Sequence, residues 1–159
     1  MDKKDYVIML RESLEKKIDI LKMIRQKNAR QREILLDELS TPDELDDNFE
    51  EKGKLVDQIV ALDDGFETLY EKVREAVESD RAAYADEIKK MQGLIPQIND
   101  LSNEIQAEEQ RNRNLASKRF SSIKQRVQKV RTGQRAANIY YQNMMKRNNI
   151  DPQFMDHKE

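Results

Sequence analysis

Apolar residues recur every three or four positions along most of the chain, which is the spacing of one face of an α-helix. The repeat breaks near residue 40 and near residue 80, so it predicts three helices, at about 5–38, 43–78 and 81–131. It continues across Pro96, where we expect a kink rather than the end of the third helix. The predicted fold is all-α, an elongated antiparallel helical hairpin or three-helix coiled-coil bundle.

The break near residue 40 carries a strong signal for a helix start. Thr41 can cap the second helix, Pro42 fits its first position, where the missing N–H costs nothing, and Glu44 can complete a capping box. At the second break, Ser79 or Asp80 is expected to cap the third helix. Both turns are short, so consecutive helices should be antiparallel and residues equally far from a turn should lie side by side.

All three apolar repeats are interrupted at one level of this predicted bundle. Antiparallel pairing places Lys52 of the second helix level with Ala29 and Ala107. We therefore expect a buried polar layer, for which fixing the helix register is favoured over binding a metal ion or a ligand. Its predicted members are Asn28, Arg32, Lys52, Glu108, Glu109 and Asn112.

The third predicted helix is longer than its two partners. At 1.5 Å per residue it reaches roughly 75 Å, against roughly 50 Å for each of the others. The shorter helices match it only to about Leu115 or Lys118. We therefore assign residues 1–119 to the bundle and residues 120–159 to a C-terminal partner-binding segment and tail, which overhangs the bundle or folds back on it.

The composition narrows the class of protein. With 38% charged residues, no Trp and no Cys, the chain is not expected to form a thick globular core, a disulfide or a thiolate metal site. The apolar run at 6–10 is too short for a signal-peptide core or a membrane span, which predicts a cytoplasmic protein without membrane insertion. No catalytic, cofactor-binding or phosphate-binding motif is present, so we expect a binding protein that is not an enzyme and needs no cofactor.

Charge is sorted along the chain. The segment Asp43–Asp80 has fourteen acidic and four basic residues, whereas Gln110–Ile150 has eleven basic residues and no acidic one. The first four of these bases are expected to face the acidic second helix. Within that helix, a row of acids at four-residue spacing needs cations alongside. The acids are Glu67, Glu71 and Glu75, and the candidate cations on neighbouring helices are Arg11, Lys16, Lys17, Lys89 and Lys90.

The other seven bases accompany an apolar stripe between about residues 120 and 147. Such a basic amphipathic segment can pack back on the bundle as a fourth helix, or bind an acidic amphipathic helix of a partner. It can also bind nucleic acid or an anionic membrane, although the acidic second helix would repel phosphates. The residues of the stripe are Phe120, Ile123, Val127, Val130, Ala137, Tyr141 and Met144.

Several stretches share the pattern of a known family. They are 10–14, 32–36 and 50–63, followed by the tail stretches 137–144 and 153–158. Together they resemble the FlgN family of flagellar export chaperones, in which a long first helix is followed by a short acidic turn and a second helix containing Lys-x-x-Leu. The tail resembles the ends of FlgN-like proteins from Gram-positive bacteria.

The resemblance implies a cytoplasmic chaperone that keeps hook–filament junction proteins unpolymerised and escorts them to the export gate. The family binds a C-terminal amphipathic helix of its client with its own C-terminal region. By position, the expected client-facing residues are Phe120, Ile123, Val127, Val130, Tyr141 and Met144, with Lys124, Arg131 and Arg135 as a charged rim. Two alternatives stay open: a coiled-coil scaffold or homodimer whose overhang pairs with a second copy, and a basic-helix nucleic-acid binder.

Overall fold

The computed structural model describes residues 2–129 and 140–145. This part of the chain contains three long α-helices, α1 (Lys3–Leu36), α2 (Pro42–Ser79) and α3 (Ala85–Lys129), and residues 140–145 are also helical. A short 3-10 helix, Arg81–Tyr84, joins α2 to α3. The all-α bundle that the apolar repeat predicts is confirmed.

The start of α2 confirms the predicted capping box. The Thr41 backbone N–H donates to the Glu44 carboxylate at 2.9 Å, and the Glu44 backbone N–H donates to the Thr41 hydroxyl at 3.3 Å. The predicted cap of the third helix is wrong. The Asp80 side chain makes no capping hydrogen bond and the Ser79 hydroxyl donates to the carbonyl of Ala76, because a 3-10 turn satisfies the backbone groups here before α3 begins.

Helix α3 is continuous through Pro96, as predicted from the uninterrupted apolar repeat. Proline removes one backbone donor from the helical ladder. Nearby, the side-chain amide of Gln97 donates to the carbonyl of Gly93 at 3.2 Å. The kink itself stays a prediction.

The helices pack around α1, which contacts both α2 and α3 closely along its length. Three apolar clusters follow one another along the bundle. The first, near the start of α1, is built around Val7, Leu10 and Val73. The central one includes Leu21, Ile59 and Ile105, and the third, near the end of α1, includes Ile34, Leu35, Leu45, Phe49, Ala116, Phe120 and Met144.

A buried polar layer separates the central cluster from the third cluster. The Lys52 ammonium donates to Asn28 Oδ1 at 3.0 Å and to the two carboxylate oxygens of Glu109 at 2.8 and 2.9 Å. Asn112 Nδ2 donates to the carbonyl of Asn28 and to Gln31 Oε1, both at 2.9 Å. Every member of this network is buried, so it joins all three helices at one level.

The predicted polar layer is therefore confirmed for Asn28, Lys52, Glu109 and Asn112. Glu108 borders it, accepting from Asn28 Nδ2 at 3.3 Å. The prediction is wrong for Arg32, because Arg32 lies on the exposed side of α1 while Gln31, one position earlier, is buried. One position turns a helix by about 100°, so an error of one residue exchanges an inner position for an outer one.

None of the helices in the described ranges combines the length and the hydropathy that a membrane span requires.

A candidate partner-binding groove

A groove of about 560 Å³ opens where α1 ends and α3 continues. We call it the carboxyl-end groove. One wall is the last turn of α1 with the turn that leads into α2, and the other is the second half of α3. It exists because α3 runs past the end of α1, so that α1 does not cover this stretch of α3. Its apolar lining is Leu35, Leu36, Leu115, Ile123, Val127 and Tyr140.

Arg119 of α3 fixes the wall that α1 contributes. Its guanidinium donates to the carbonyl oxygens of Ile34 at 2.7 Å, Asp37 at 2.9 Å and Ser40 at 2.9 Å. These carbonyls lie at and just beyond the end of α1, where backbone acceptors have no partner within the helix. A cation at this end also complements the helix dipole. Arg119 therefore caps α1 and holds the turn against α3.

This contact corrects one of the predictions. Arg119 was expected to face the acids of α2, but it binds backbone carbonyls at the end of α1 instead. The other three bases of that set, Arg111, Arg113 and Lys118, form no ion pair with another described residue. Helix α3 packs more closely on α1 than on α2, and Arg119 reaches the end of α1 rather than the acids of α2.

The helical residues 140–145 pack against α3 beside the groove. The ring of Phe120 meets the rings of Tyr140 and Tyr141 edge-on, with centroid distances of 5.3 and 4.7 Å. Phe120 and Met144 are both buried in the third apolar cluster. This stretch therefore folds back on the bundle, which is one of the two arrangements that the length of α3 allows.

The predicted client-facing residues thus fall into three groups. Ile123 and Val127 line the carboxyl-end groove and are half-buried, while Lys124 is exposed on the same helix. Phe120 and Met144 are covered by the chain itself, and Tyr141 packs on Phe120 with 48% of its surface exposed. Val130, Arg131 and Arg135 lie outside the described residues.

Sequence reasoning missed the groove residues that α1 contributes. Neither Leu35 nor Leu36 is among the residues predicted to face a client. A signal was present, since Ile34, Leu35 and Leu36 are three consecutive apolar residues and cannot all face one core. Leu36 is 56% exposed in the structure, and it forms the outer edge of the groove.

The charge at the rim of the groove is mainly basic. Lys118, Arg119 and Arg126 line it, against the single acid Glu38. An apolar floor with basic edges complements a helix that has an apolar stripe flanked by acids. No cluster of His, Asp or Glu within the described ranges could hold a metal ion.

Tyr140, at the edge of the groove, gives a prediction about pH. Burial raises the pKa of its phenol above the ordinary value of 10.0, and Asp46 raises it further, while Arg119 lowers it. Because the pKa of Tyr140 is raised in the folded state, the stability that its burial contributes is fully present below pH 10. That stability is lost as the pH rises through the folded-state pKa. The absorbance of phenolate is titrated in the wild type and in Tyr140→Phe. The difference between the two curves should have its midpoint above pH 10. A midpoint at or below 10 would contradict burial of this ring.

Comparison with known proteins gives one family. The sequence matches the family model described as FlgN protein over residues 6–147, a range that includes all groove-lining residues and, apart from the first three residues of α1, the three helices. No curated protein and no solved structure matches the chain.

Proposed function

Since the chain belongs to the FlgN family, a family of flagellar export chaperones rather than enzymes, we propose that it binds hook–filament junction proteins in the cytoplasm and keeps them unpolymerised before export. The client segment in this proposal is a C-terminal amphipathic helix. The observation that carries the proposal is the carboxyl-end groove, an open apolar site between α1 and α3 that lies within the family match. The hand-over to the export gate is part of the same proposal.

The apolar floor supplies the affinity in this proposal. A client helix that inserts two or three large apolar side chains between Leu35, Leu36, Ile123 and Val127 gains about 1.5–3 kcal/mol for each one it buries. Ordering the client helix and losing its free motion offset a large part of this gain. The expected result is reversible binding, which suits a chaperone that must release its client at the export machinery.

The basic rim supplies orientation and selectivity. Lys118 and Arg126 border the groove on α3, and neither forms an ion pair with a described residue. Acids along one edge of the client helix would lie opposite these side chains. Exposed pairs of this kind add about 0.2–1 kcal/mol each, but they accelerate association and disfavour the wrong orientation.

The proposal is tested by placing charge on the apolar floor. The double variant Ile123→Glu/Val127→Glu should lower the affinity for a purified hook–filament junction protein of the same organism roughly 100-fold, since each lost contact costs about 1.5 kcal/mol. Isothermal titration calorimetry measures this change. Met23→Glu is the matched control, because Met23 is 48% exposed on α1 and lines neither groove of the bundle.

A second variant separates loss of binding from loss of folding. Lys118→Glu and Arg126→Glu change only rim charges, and both positions are exposed, so the helical unfolding transition should not move. Affinity for the same client should fall several-fold and depend less on salt. The proposal would be contradicted if the Ile123→Glu/Val127→Glu variant and the Lys118→Glu/Arg126→Glu variant both kept their fold and bound the client with unchanged affinity.

A further inference from the structure

A second apolar groove lies at the other end of the bundle, near the start of α1. Its cavity measures about 230 Å³, and we call it the amino-end groove. The residues at its base belong to α1, Val7, Leu10 and Leu14, and its walls are α2 and α3. Helices α2 and α3 both pack on α1 but approach each other less closely, so their apolar faces leave a gap between them.

Large apolar side chains are open to solvent in this gap. Tyr70 of α2 is 36% exposed and stacks on Phe66, with ring centroids 6.5 Å apart. Ile95 of α3, on the opposite wall, is 48% exposed. A three-helix bundle with an apolar gap between two of its helices has the shape that receives a fourth helix.

The wall formed by α2 has an acidic outer edge. Glu67, Glu71 and Glu78 each follow a groove-lining residue by one position, which places them about 100° around the helix and on the solvent side of the groove. Arg74 is the base among them, 3.5 Å from Glu71 and 3.9 Å from Glu78. This edge therefore keeps a net negative charge.

Within the described residues, the cations expected to neutralise the row Glu67, Glu71 and Glu75 form no ion pair with it, and three of the five pair with other acids. Arg11 pairs with Glu87 and with Glu15, both at 2.6 Å, and Lys17 pairs with Asp63. Glu67 forms no ion pair with any described residue. The expectation that neighbouring helices of the bundle balance this row of acids is therefore wrong. Glu71 pairs with Arg74 of its own helix, whereas Glu67 is available to a cation from outside.

We propose that the amino-end groove binds an amphipathic helix of another protein, one whose apolar stripe is flanked by Lys or Arg on the edge that faces α2. The opposite wall has different charge chemistry. On α3 the outer edge carries Gln92 and Lys89, so the docked helix needs bases on one edge only. Arg81 lines the end closed by the turn between α2 and α3, and its charge favours the carboxyl end of the docked helix there.

The two grooves can be occupied together. Leu14 at the amino-end groove and Leu35 at the carboxyl-end groove are both on α1, and 1.5 Å per residue separates them by roughly 30 Å. Their edges also have opposite charge, since the carboxyl-end groove is bordered by bases. The protein would thus hold two different helices at once, an acidic one and a basic one.

The test uses the full chain and two synthetic amphipathic peptides of the same apolar pattern. One carries Lys along one edge of the stripe, and the other carries Glu at the same positions. Titration of isotope-labelled protein, followed by nuclear magnetic resonance, should show the Lys peptide shifting the amides around Tyr70 and Ile95. Ile95→Glu, and separately Glu67→Lys/Glu71→Lys, should weaken this binding at least tenfold.

Two controls distinguish this site from the carboxyl-end groove. Met23→Glu and Val127→Glu should bind the Lys peptide as the wild type does. The proposal is overturned if the Glu peptide binds equally well, or if Val127→Glu abolishes Lys-peptide binding while Ile95→Glu does not. It is also overturned if the wild type self-associates without peptide and Ile95→Glu makes it a monomer, since a second copy then fills the groove. The affinity of the Ile95→Glu variant for a hook–filament junction protein tests the proposed chaperone function separately, because that client is proposed to bind the carboxyl-end groove.

Discussion

Replacing Lys52 with Met is expected to lower the free energy of unfolding by about 3–5 kcal/mol. The Lys52 ammonium, on a side chain only 2% exposed, lies between the carboxylate of Glu109 and the amide oxygen of Asn28. Without it, the buried Glu109 carboxylate loses the ammonium that lies 2.8 Å from it in the folded protein. Removing one partner of a buried pair costs far more than the pair itself contributes, because the remaining charge has lost its water. Urea denaturation followed by circular dichroism measures the change.

The double variant Lys52→Met/Glu109→Leu tests this cause. It removes both charges and should recover most of the stability, since well-packed apolar residues often replace a buried pair without loss. Lys54→Met, two positions away with an exposed side chain, is the matched control and should change stability by less than about 0.5 kcal/mol. If Lys52→Met and Lys54→Met had equal effects, the buried pair would not be holding the three helices together.

Replacing Phe120 with Ala is expected to cost about 3–5 kcal/mol and to release residues 140–145 from the bundle. Phe120 is 4% exposed, and its ring contacts both Tyr140 and Tyr141 edge-on. Truncation leaves a cavity where α3 meets the folded-back helix. Urea denaturation gives the total loss, and hydrogen exchange at 140–145 shows whether this stretch separates. Met23→Ala on exposed α1 surface should change neither.

A double-mutant cycle with Met144→Ala assigns the origin of that loss. Phe120 and Met144 are buried in one cluster, so their effects should couple by about 0.5–3 kcal/mol rather than add. Simple additivity would mean that the two side chains do not support each other. In that case the ring of Phe120 would hold residues 140–145 through Tyr140 and Tyr141 rather than through Met144.

Local patterns predicted the helices well. The capping box at Thr41 and Glu44 and the continuation of α3 through Pro96 depend on residues close in sequence, and both are present. The polar layer was predictable too, because in antiparallel helices two residues that are equally far from the connecting turn lie at the same level of the bundle. One predicted member was wrong, Arg32 in place of Gln31. Neighbouring positions differ by about 100° around the helix, and the positions of polar residues in the sequence did not fix that angle to within one residue.

The carboxyl-end groove was predictable only in part. Ile123 and Val127 follow from the period of α3, but Leu36 does not, because its exposure depends on where α1 stops relative to α3. Arg119 was grouped with the bases predicted to face the acidic second helix. Its binding to carbonyls at the end of α1 requires the approach of two helix segments that are far apart in sequence.

The sequence by itself determined the helical class, the breaks, the register of the polar layer and the FlgN family membership, because each depends on periodicity or short-range pattern. Only the tertiary structure decided which residues of the basic amphipathic segment the chain covers and which stay open. Phe120 and Met144 belong to the same stripe as Ile123 and Val127, yet the first two are buried and the last two line a groove. Exposure depends on which helix lies opposite a residue, and a repeat along one helix carries no information about that neighbour.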